Sequence, residues 1–406
     1  MTFLEKSIMR TKLLGTALFA LTATAVILIP MRHVTGAVQP PVITRPLPTV
    51  QAASIEVVFV LDTTGSMSGL IEAAKEKIWS IASSMAQAEP APQIRMGLVA
   101  YRDRGDRYVT RVTDLSSDLD SVYATLMDYR ADGGGDGPES VNRALHDALH
   151  RVSWSRDQGA YQVVFLVGDA PPHMDYQDEQ QYPQIIADAR QRGIVINTIQ
   201  AGASTSTGRE WRRIASLAGG EYFQVDTTGS AVAVATPYDE KLARLSEEFD
   251  ATRLYYGDPE TRAGKEGKLA ATRKLHESAS VASRARRATF NMSESGAANR
   301  LGENELVDDV TSGRVDIGTI PAENLPEPLQ AMAPSVAKVK LKEVAEKRRQ
   351  LRDEIRELAQ QRSDFLTRKV EEGGGADASL DARIYGAVRE QATAKGIRYE
   401  AAAPAY

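Results

Sequence analysis

The run Val57-Val58-Phe59-Val60-Leu61 carries no polar side chain and gives way abruptly to Asp62-Thr63-Thr64-Gly65-Ser66. An apolar run without polar alternation predicts a strand covered on both faces. The next segment has a different period. From Gly69 to Met85 the apolar positions Ala73, Ala74, Ile78, Ile81, Ala82 and Met85 recur at helical spacing. The pattern then repeats. Ile94 to Tyr101 reads as a strand, with Tyr108 to Val112 as its hairpin partner across Arg104-Gly105-Asp106. Helices are predicted over 119–129 and 138–152, the second with Val141, Leu145, Ala148, Leu149 and Val152 on one face. Tyr161 to Val167 is another buried strand. A helix over 182–192, a strand over 195–200, a helix over 209–218 stopped by Gly219-Gly220, and a last strand over 221–225 complete the series. A closing helix is predicted from Pro237 to Tyr255, with proline in its first turn.

Strands alternating with helices imply an α/β fold, a doubly wound and mainly parallel sheet with helices on both faces, here spanning residues 54–256. Ligands of such sheets sit beyond the C-terminal strand ends, close to the point where the strand order reverses. Asp62 is at such an end.

After about residue 257 the chain turns polar and helical, and it stays so to residue 406. A long charged helix is predicted over 335–372. Within it Leu341, Arg348, Ile355 and Arg362 recur at seven, as do Val344, Leu351, Leu358 and Phe365. Two readings stand side by side: a coiled-coil seam over 336–372 weakened by its arginines, and a solvated surface helix with one apolar stripe. Gly373-Gly374-Gly375 ends it, and a final helix is expected over 378–395.

The N-terminus has its own pattern. Lys6, Arg10 and Lys12 precede an apolar stretch from Leu13 to Ile29, and Thr35-Gly36-Ala37 offers small residues for cleavage. Residues 1–37 therefore read as an export signal, or as an uncleaved membrane anchor, since the stretch reaches the lower limit of roughly 17–25 residues for a span. Residues 38–53, rich in Pro, Val, Thr and Ala, read as a linker. The expected location is outside the cytoplasm: periplasm, cell envelope or secreted, with membrane association through residues 13–29. The chain of 406 residues is 42% hydrophobic and 25% charged, with a formal net charge of −5 and no cysteine. That balance argues against a general nucleic-acid binder. The missing cysteines exclude disulfides and thiolate zinc sites.

The chemistry concentrates in three segments. Asp62, Thr64 and Ser66 lie on the first loop. Asp136 lies in Gly133-Gly134-Gly135-Asp136-Gly137-Pro138-Glu139-Ser140, before a predicted helix. Asp169 comes directly after the strand Phe165-Leu166-Val167-Gly168. Clustered carboxylates and hydroxyls without sulfur or imidazole are the donors a hard divalent cation prefers.

This pattern resembles the von Willebrand factor A domain and its metal-ion-dependent adhesion site. The usual first motif of that family is Asp-x-Ser-x-Ser, and Thr64 keeps the hydroxyl where the first serine is expected. The third loop of the family supplies an aspartate, which Asp169 matches. Its second loop commonly supplies a threonine, and here the Gly-Gly-Gly-Asp-Gly-Pro-Glu segment takes that place, as in a branch of extracellular and bacterial members. Asp136 is assigned to that loop, with Glu139 and Ser140 as alternates. The layout, helical extension included, also resembles exported bacterial proteins of this family. The resemblance implies that the Thr64 and Ser66 hydroxyls bind Mg2+ (Mn2+ or Ca2+ as alternatives), and that Asp62, Asp136 and Asp169 bind it directly or through water. It implies an adhesion-type role without catalysis, in which a partner protein's Glu or Asp displaces a water from the metal. A metal-free envelope scaffold is the second reading and a zinc hydrolase the third.

Other signals are weaker. His146-Asp147-Ala148-Leu149-His150 imitates a zinc-protease helix, but Asp147 stands where glutamate acts as base and no third ligand comes after it. Arg104-Gly105-Asp106 is short enough to arise by chance, and a hairpin turn accounts for it. Arg284, Arg286 and Arg287 are expected on a solvated helix face.

Overall fold

The computed structural model describes residues 53–135, 137–226, 234–372 and 380–400. The predicted leader, its anchor segment at 13–29 and most of the linker lie outside the described residues, as does Asp136. Among the described residues no helix is long and apolar enough to cross a membrane.

The described residues form the strands β1 (Ser54–Asp62), β2 (Ala88–Glu89), β3 (Gln93–Tyr101), β4 (Thr110–Ser116), β5 (Tyr161–Gly168), β6 (Ile194–Ala201), β7 (Tyr222–Val225) and β8 (Arg398–Tyr399). Six of them make one sheet in the order β4-β3-β1-β5-β6-β7. Its neighbours are all parallel except β4, which runs antiparallel to β3. The helices between them are α1 (Ser68–Met85), α2 (Leu119–Asp128), α3 (Val141–His150), α4 (Tyr182–Arg192) and α5 (Thr205–Ala218).

The apolar run of β1 behaves as its pattern requires. Val57, Phe59 and Leu61 enter one core with Ile78, Ile81 and Trp79 of α1 and Val122 and Leu126 of α2. Val58 and Val60 enter the opposite core with Leu145 of α3, Ile185 of α4 and Trp211 of α5. Side chains alternate across a strand, so a run apolar at every position is explained only by cover on both sides. β1 sits between β3 and β5, where the winding reverses, and this puts Asp62 at the mouth of the crevice.

Two predicted helix starts move. The helix expected from residue 138 begins at Val141, because the backbone at Glu139 is occupied in a bridge to Pro172. The helix expected from Pro237 is α6 (Asp239–Asp250). The Asp239 carboxylate folds back onto Thr236, accepting from its N–H at 2.9 Å and its hydroxyl at 2.8 Å, so the helical backbone starts only there.

The rest of the chain wraps the same body. It comprises α7 (Pro259–Ser278), α8 (Val281–Met292), α9 (Leu306–Thr311), the long α10 (Pro334–Glu372) and α11 (Leu380–Thr393), with short helical turns between them. The described residues all belong to one compact unit. Phe290 of α8 packs on Trp79 of α1, with ring centroids 5.9 Å apart. Ile384, Val388 and Ala392 of α11 join the first core of the sheet, and β8 pairs antiparallel with β2.

The heptad positions of α10 are accounted for within the chain rather than by a coiled coil. Leu351 and Ile355 pack with Leu242 and Phe249 of α6 and Ala285 of α8, and Leu341 packs with Leu306 and Val307 of α9. The arginines of that seam are paired. Arg348 holds Glu305 through two bonds of 2.7 Å, and Arg362 holds Asp239 at 2.8 Å. The basic cluster of α8 is also not a solvated face, since Arg287 is fully buried.

Candidate metal centre

Three loops meet above the C-terminal end of β1. The first is fixed by its own backbone. Thr63 donates to the Tyr101 carbonyl from its N–H and its hydroxyl, both at 2.9 Å. A single helical turn at Gly65–Met67 then leads into α1. The second loop is tied to the first at two points: Gly65 N–H donates to the Gly133 carbonyl at 3.1 Å, and Asp132 N–H to the Thr63 carbonyl at 3.2 Å. Gly134 has a φ of 80°, and a Cβ there would stand 3.3 Å from Thr64 Cβ and 3.4 Å from Glu139 Oε1. Glycine is therefore required both for the backbone conformation and for the close approach. The third loop docks on the second, with Glu139 N–H donating to the Pro171 carbonyl at 2.9 Å and His173 N–H to the Glu139 carbonyl at 3.1 Å. It docks on α5 as well, where the Thr207 hydroxyl donates to the Asp169 carbonyl at 2.9 Å.

The side chains converge in a small polar cup. Asp62 Oδ1 accepts from Thr64 N–H at 2.9 Å and from the Thr64 hydroxyl at 2.7 Å. Thr64 Oγ1 and Ser66 Oγ lie 3.3 Å apart. Asp62 is 1% exposed and Glu139 4%, yet Asp62 Oδ2 and Glu139 Oε2 have no hydrogen-bond partner. Burial pushes the Asp62 carboxyl from 3.8 up to about 7 against its bonds to Thr64, and the Asp169 carboxylate adds to the rise. Burial pushes Glu139 up to about 9, with further push from Asp62, Asp103, Asp106 and Asp169. Two buried carboxyl oxygens without donors, in a cluster of like charge, mark a place where a positive charge is missing.

The donor set fits a hard divalent cation. Among the described residues no group of three or more His, Cys, Asp or Glu side chains is placed to hold a metal ion. The hydroxyls of Thr64 and Ser66 are thus a necessary part of any coordination here, as is usual for a cation that takes mixed oxygen ligands and keeps waters.

The family model of the von Willebrand factor A domain matches residues 56–236, from β1 through the segment after β7. Residues 56–236 are a von Willebrand factor A domain. Curated relatives include von Willebrand factor A domain-containing protein 7 of Rattus norvegicus, 37% identical over 114 residues that cover 28% of this chain and 12% of that protein. The alpha-protein kinase vwkA of Dictyostelium discoideum is 28% identical over 121 residues, covering 29% of this chain and 19% of that protein. The chain thus spans less than a fifth of the length of these relatives. Among solved structures, the SpRpn10 VWA domain is matched at 13% identity and a TM-score of 0.34, over 45% of this chain and 96% of that one. Proximal thread matrix protein 1 from the mussel byssus, in a form with a zinc-occupied MIDAS motif, is matched at 17% identity and a TM-score of 0.35, over 44% of this chain and 43% of that one. At such scores these two likenesses carry no argument about the site.

In this A domain the structure brings together Asp62, Thr64, Ser66 and Asp169 of the expected set. The Asp169 backbone and carboxylate both act on the Asp62 carboxyl. Asp136 lies outside the described residues. Among the described residues of the second loop, Glu139, read from the sequence as an alternate, is the carboxylate found at the cup. Ser140, the other alternate, is fully buried and donates to Asp103 Oδ1 at 2.8 Å instead. Asp106 has a role that its place in Arg104-Gly105-Asp106 did not reveal. Its carboxylate accepts from Gly134 N–H at 3.0 Å and so pins the glycine loop. Arg104 of the same tripeptide is engaged by Asp178 at 2.9 Å and Glu179 at 2.6 Å. The His146 and His150 rings lie side by side, 4.6 Å apart. Asp147 between them is buried and bonded to Arg143, Arg151 and Thr110, which leaves it no role as a base.

Proposed function

We propose that this A domain binds a partner protein through a divalent cation held by the Thr64 and Ser66 hydroxyls and Asp62, with Glu139 and Asp169 acting on it through water and a Glu or Asp of the partner completing the coordination. The observation that carries the reading is the pair of buried, unpartnered oxygens, Asp62 Oδ2 and Glu139 Oε2, beside two hydroxyls at the crevice of the sheet. A bound cation supplies the missing positive charge and an open position for an incoming carboxylate. The chain contributes the rest. Thr64 orients Asp62 through two bonds, and the ties among the three loops fix the ligands before the metal arrives. Mg2+ is the favoured ion for an all-oxygen site that retains water. The role is adhesive and not enzymatic, and the chain works outside the cytoplasm, a location supported by the basic and apolar pattern of residues 1–37.

The test is thermal unfolding of the protein in Mg2+, Mn2+ or chelator, then envelope-protein capture under the same conditions. Metal should raise the melting temperature and permit capture, and Asp62→Ala should abolish both while leaving the fold intact. A melting temperature indifferent to metal, with capture unchanged in chelator, would leave the metal-free scaffold as the correct reading.

A further inference from the structure

A polar groove lies at the other end of the sheet. Its walls are the segment from the end of α3 to β5, the turn from α4 into β6, and Lys395 after α11. Gln162 of β5 lines it, whereas Asp169 at the far end of the same strand belongs to the metal cup. Seven residues of extended chain, at ~3.3 Å each, put the two sites on the order of 20 Å apart. The groove volume is about 740 Å³, large enough to take several side chains of a partner.

The charge of this groove runs against that of the protein. The chain has a formal net charge of −5, yet Arg156, Arg190, Arg192 and Lys395 all line the groove with Asp157 as the one lining carboxylate. The cations of the groove thus outnumber its carboxylate four to one. Three of them donate to neutral carbonyls: Arg190 to Leu217 at 3.3 Å, Arg192 to Leu149, and Lys395 to Gln158 at 3.2 Å. Arg190 and Arg192 therefore also complement the ends of nearby helices, but a guanidinium has five donors and one such bond leaves most of them unused. Arg156, Arg190 and Arg192 are exposed. Trp154, the aromatic of the groove, is buried with its N–H on the Ala148 carbonyl, so no platform is offered for stacking bases. The cations come from separate segments along the groove and are spread rather than focused on one point. That matches a row of carboxylates better than a single compact anion.

We infer that this groove is a second docking site, which takes an acidic peptide segment of a partner protein through carboxylate–guanidinium pairs and needs no metal. Two poles with different chemistry would let one copy of the chain hold two acidic partners, or two parts of one.

The test measures fluorescence anisotropy of a labelled oligoglutamate peptide with the full chain, in EDTA and at low ionic strength. Binding should persist in EDTA and in Asp62→Ala, weaken steeply with salt, and weaken about tenfold or more in Arg156→Gln/Lys395→Gln. Arg156→Gln alone, at an exposed side chain, should weaken it in the same direction and keeps the test valid if the double variant unfolds. Loss of binding in EDTA or in Asp62→Ala would assign the peptide to the metal cup and overturn the inference. So would undiminished binding in Arg156→Gln, or a phosphoserine peptide that binds where oligoglutamate does not.

Discussion

Arg287 of α8 and Asp120 of α2 form a bidentate ion pair with no solvent exposure on either side chain, at 2.7 Å from Nε and 2.6 Å from Nη2. The same guanidinium reaches Asp250 of α6 at 2.7 Å and the Ser246 hydroxyl at 2.9 Å. Thr272 of α7 donates to Asp120 at 2.7 Å and His276 meets Asp250 at 2.8 Å. One polar knot thus joins α2 of the sheet domain to α6, α7 and α8. Such a network is costly to bury and costly to break, and its geometry fixes a single docking arrangement.

Removing one partner exposes that cost. Arg287→Met leaves Asp120 buried without its bidentate cation, while Asp250 keeps Arg253, and should destabilise the protein by about 3–5 kcal/mol, read from urea unfolding. The pH dependence has a definite sign. Burial alone would raise Asp250, but Arg253 and Arg287 outweigh it and hold the carboxyl down at about 2, and Asp120 is lowered too. A depressed carboxyl adds stability that is complete above its unfolded value near 4 and is lost as pH falls toward 2. Unfolding measured between pH 5 and 2 should show that loss in the native protein and much less of it in Arg287→Met.

The C-terminal helices finish the core of the A domain, so the domain should not stand without them. A chain ending at residue 256 lacks Phe290 over Trp79, Ile384 and Val388 over the sheet, and the cation of Asp120. It should lose near-ultraviolet circular dichroism and bind a hydrophobic dye while keeping far-ultraviolet signal. A sharp thermal transition in the truncated chain would show that the extension is dispensable.

The legibility of these features differs for physical reasons. β1 and its loop could be read because a two-sided strand leaves an unbroken apolar run, and because ligands collect where such strands end. Asp62, Thr64, Ser66 and Asp169 became visible on that ground. The place of Glu139 at the cup depends on how the third loop docks through Pro171, a contact between distant segments that no spacing encodes. Arg287 read as solvated because charge usually means surface, and Arg348 and Arg362 read as interruptions that weaken a seam. Their acidic partners lie 167, 43 and 123 residues away, beyond any local pattern. The heptads of α10 were visible, but periodicity does not say whether a seam meets another chain or its own.

Gly168 separates the last strand residues from Asp169, and its lack of a side chain shapes the cup. A Cβ there would fall 2.4 Å from the Tyr101 hydroxyl and 3.1 Å from Asp62 Cβ. Gly168→Ala should cost about 1–3 kcal/mol by overpacking and should blunt the response to Mg2+ by displacing Asp62. Tyr101→Phe removes the nearest atom, since its hydroxyl makes only a long contact of 3.5 Å to the Val167 carbonyl. The two substitutions together should recover part of the loss, and a double-mutant cycle on melting temperature and metal response measures it. Strict additivity would place the clash elsewhere.

Glu139 gives the sharpest separation between a metal site and a structural cluster. In the metal-free protein its carboxyl is buried among Asp62, Asp103, Asp106 and Asp169, with Oε2 unpartnered. At neutral pH a carboxyl pushed up to about 9 must take up a proton on folding; Glu139→Gln keeps the shape and removes that cost, so the variant should melt higher than the native protein in chelator. With Mg2+ the order should reverse. A saturating ion adds stability in proportion to the logarithm of its concentration over Kd, about 2.7 kcal/mol at a hundredfold excess. Loss of one carboxylate near the ion should weaken its affinity by roughly 10–100-fold and remove much of that gain. The two melting curves should therefore cross as Mg2+ is titrated from chelator upward. A variant less stable than the native protein at every Mg2+ concentration would mean that Glu139 serves the fold alone and brings no charge to the metal.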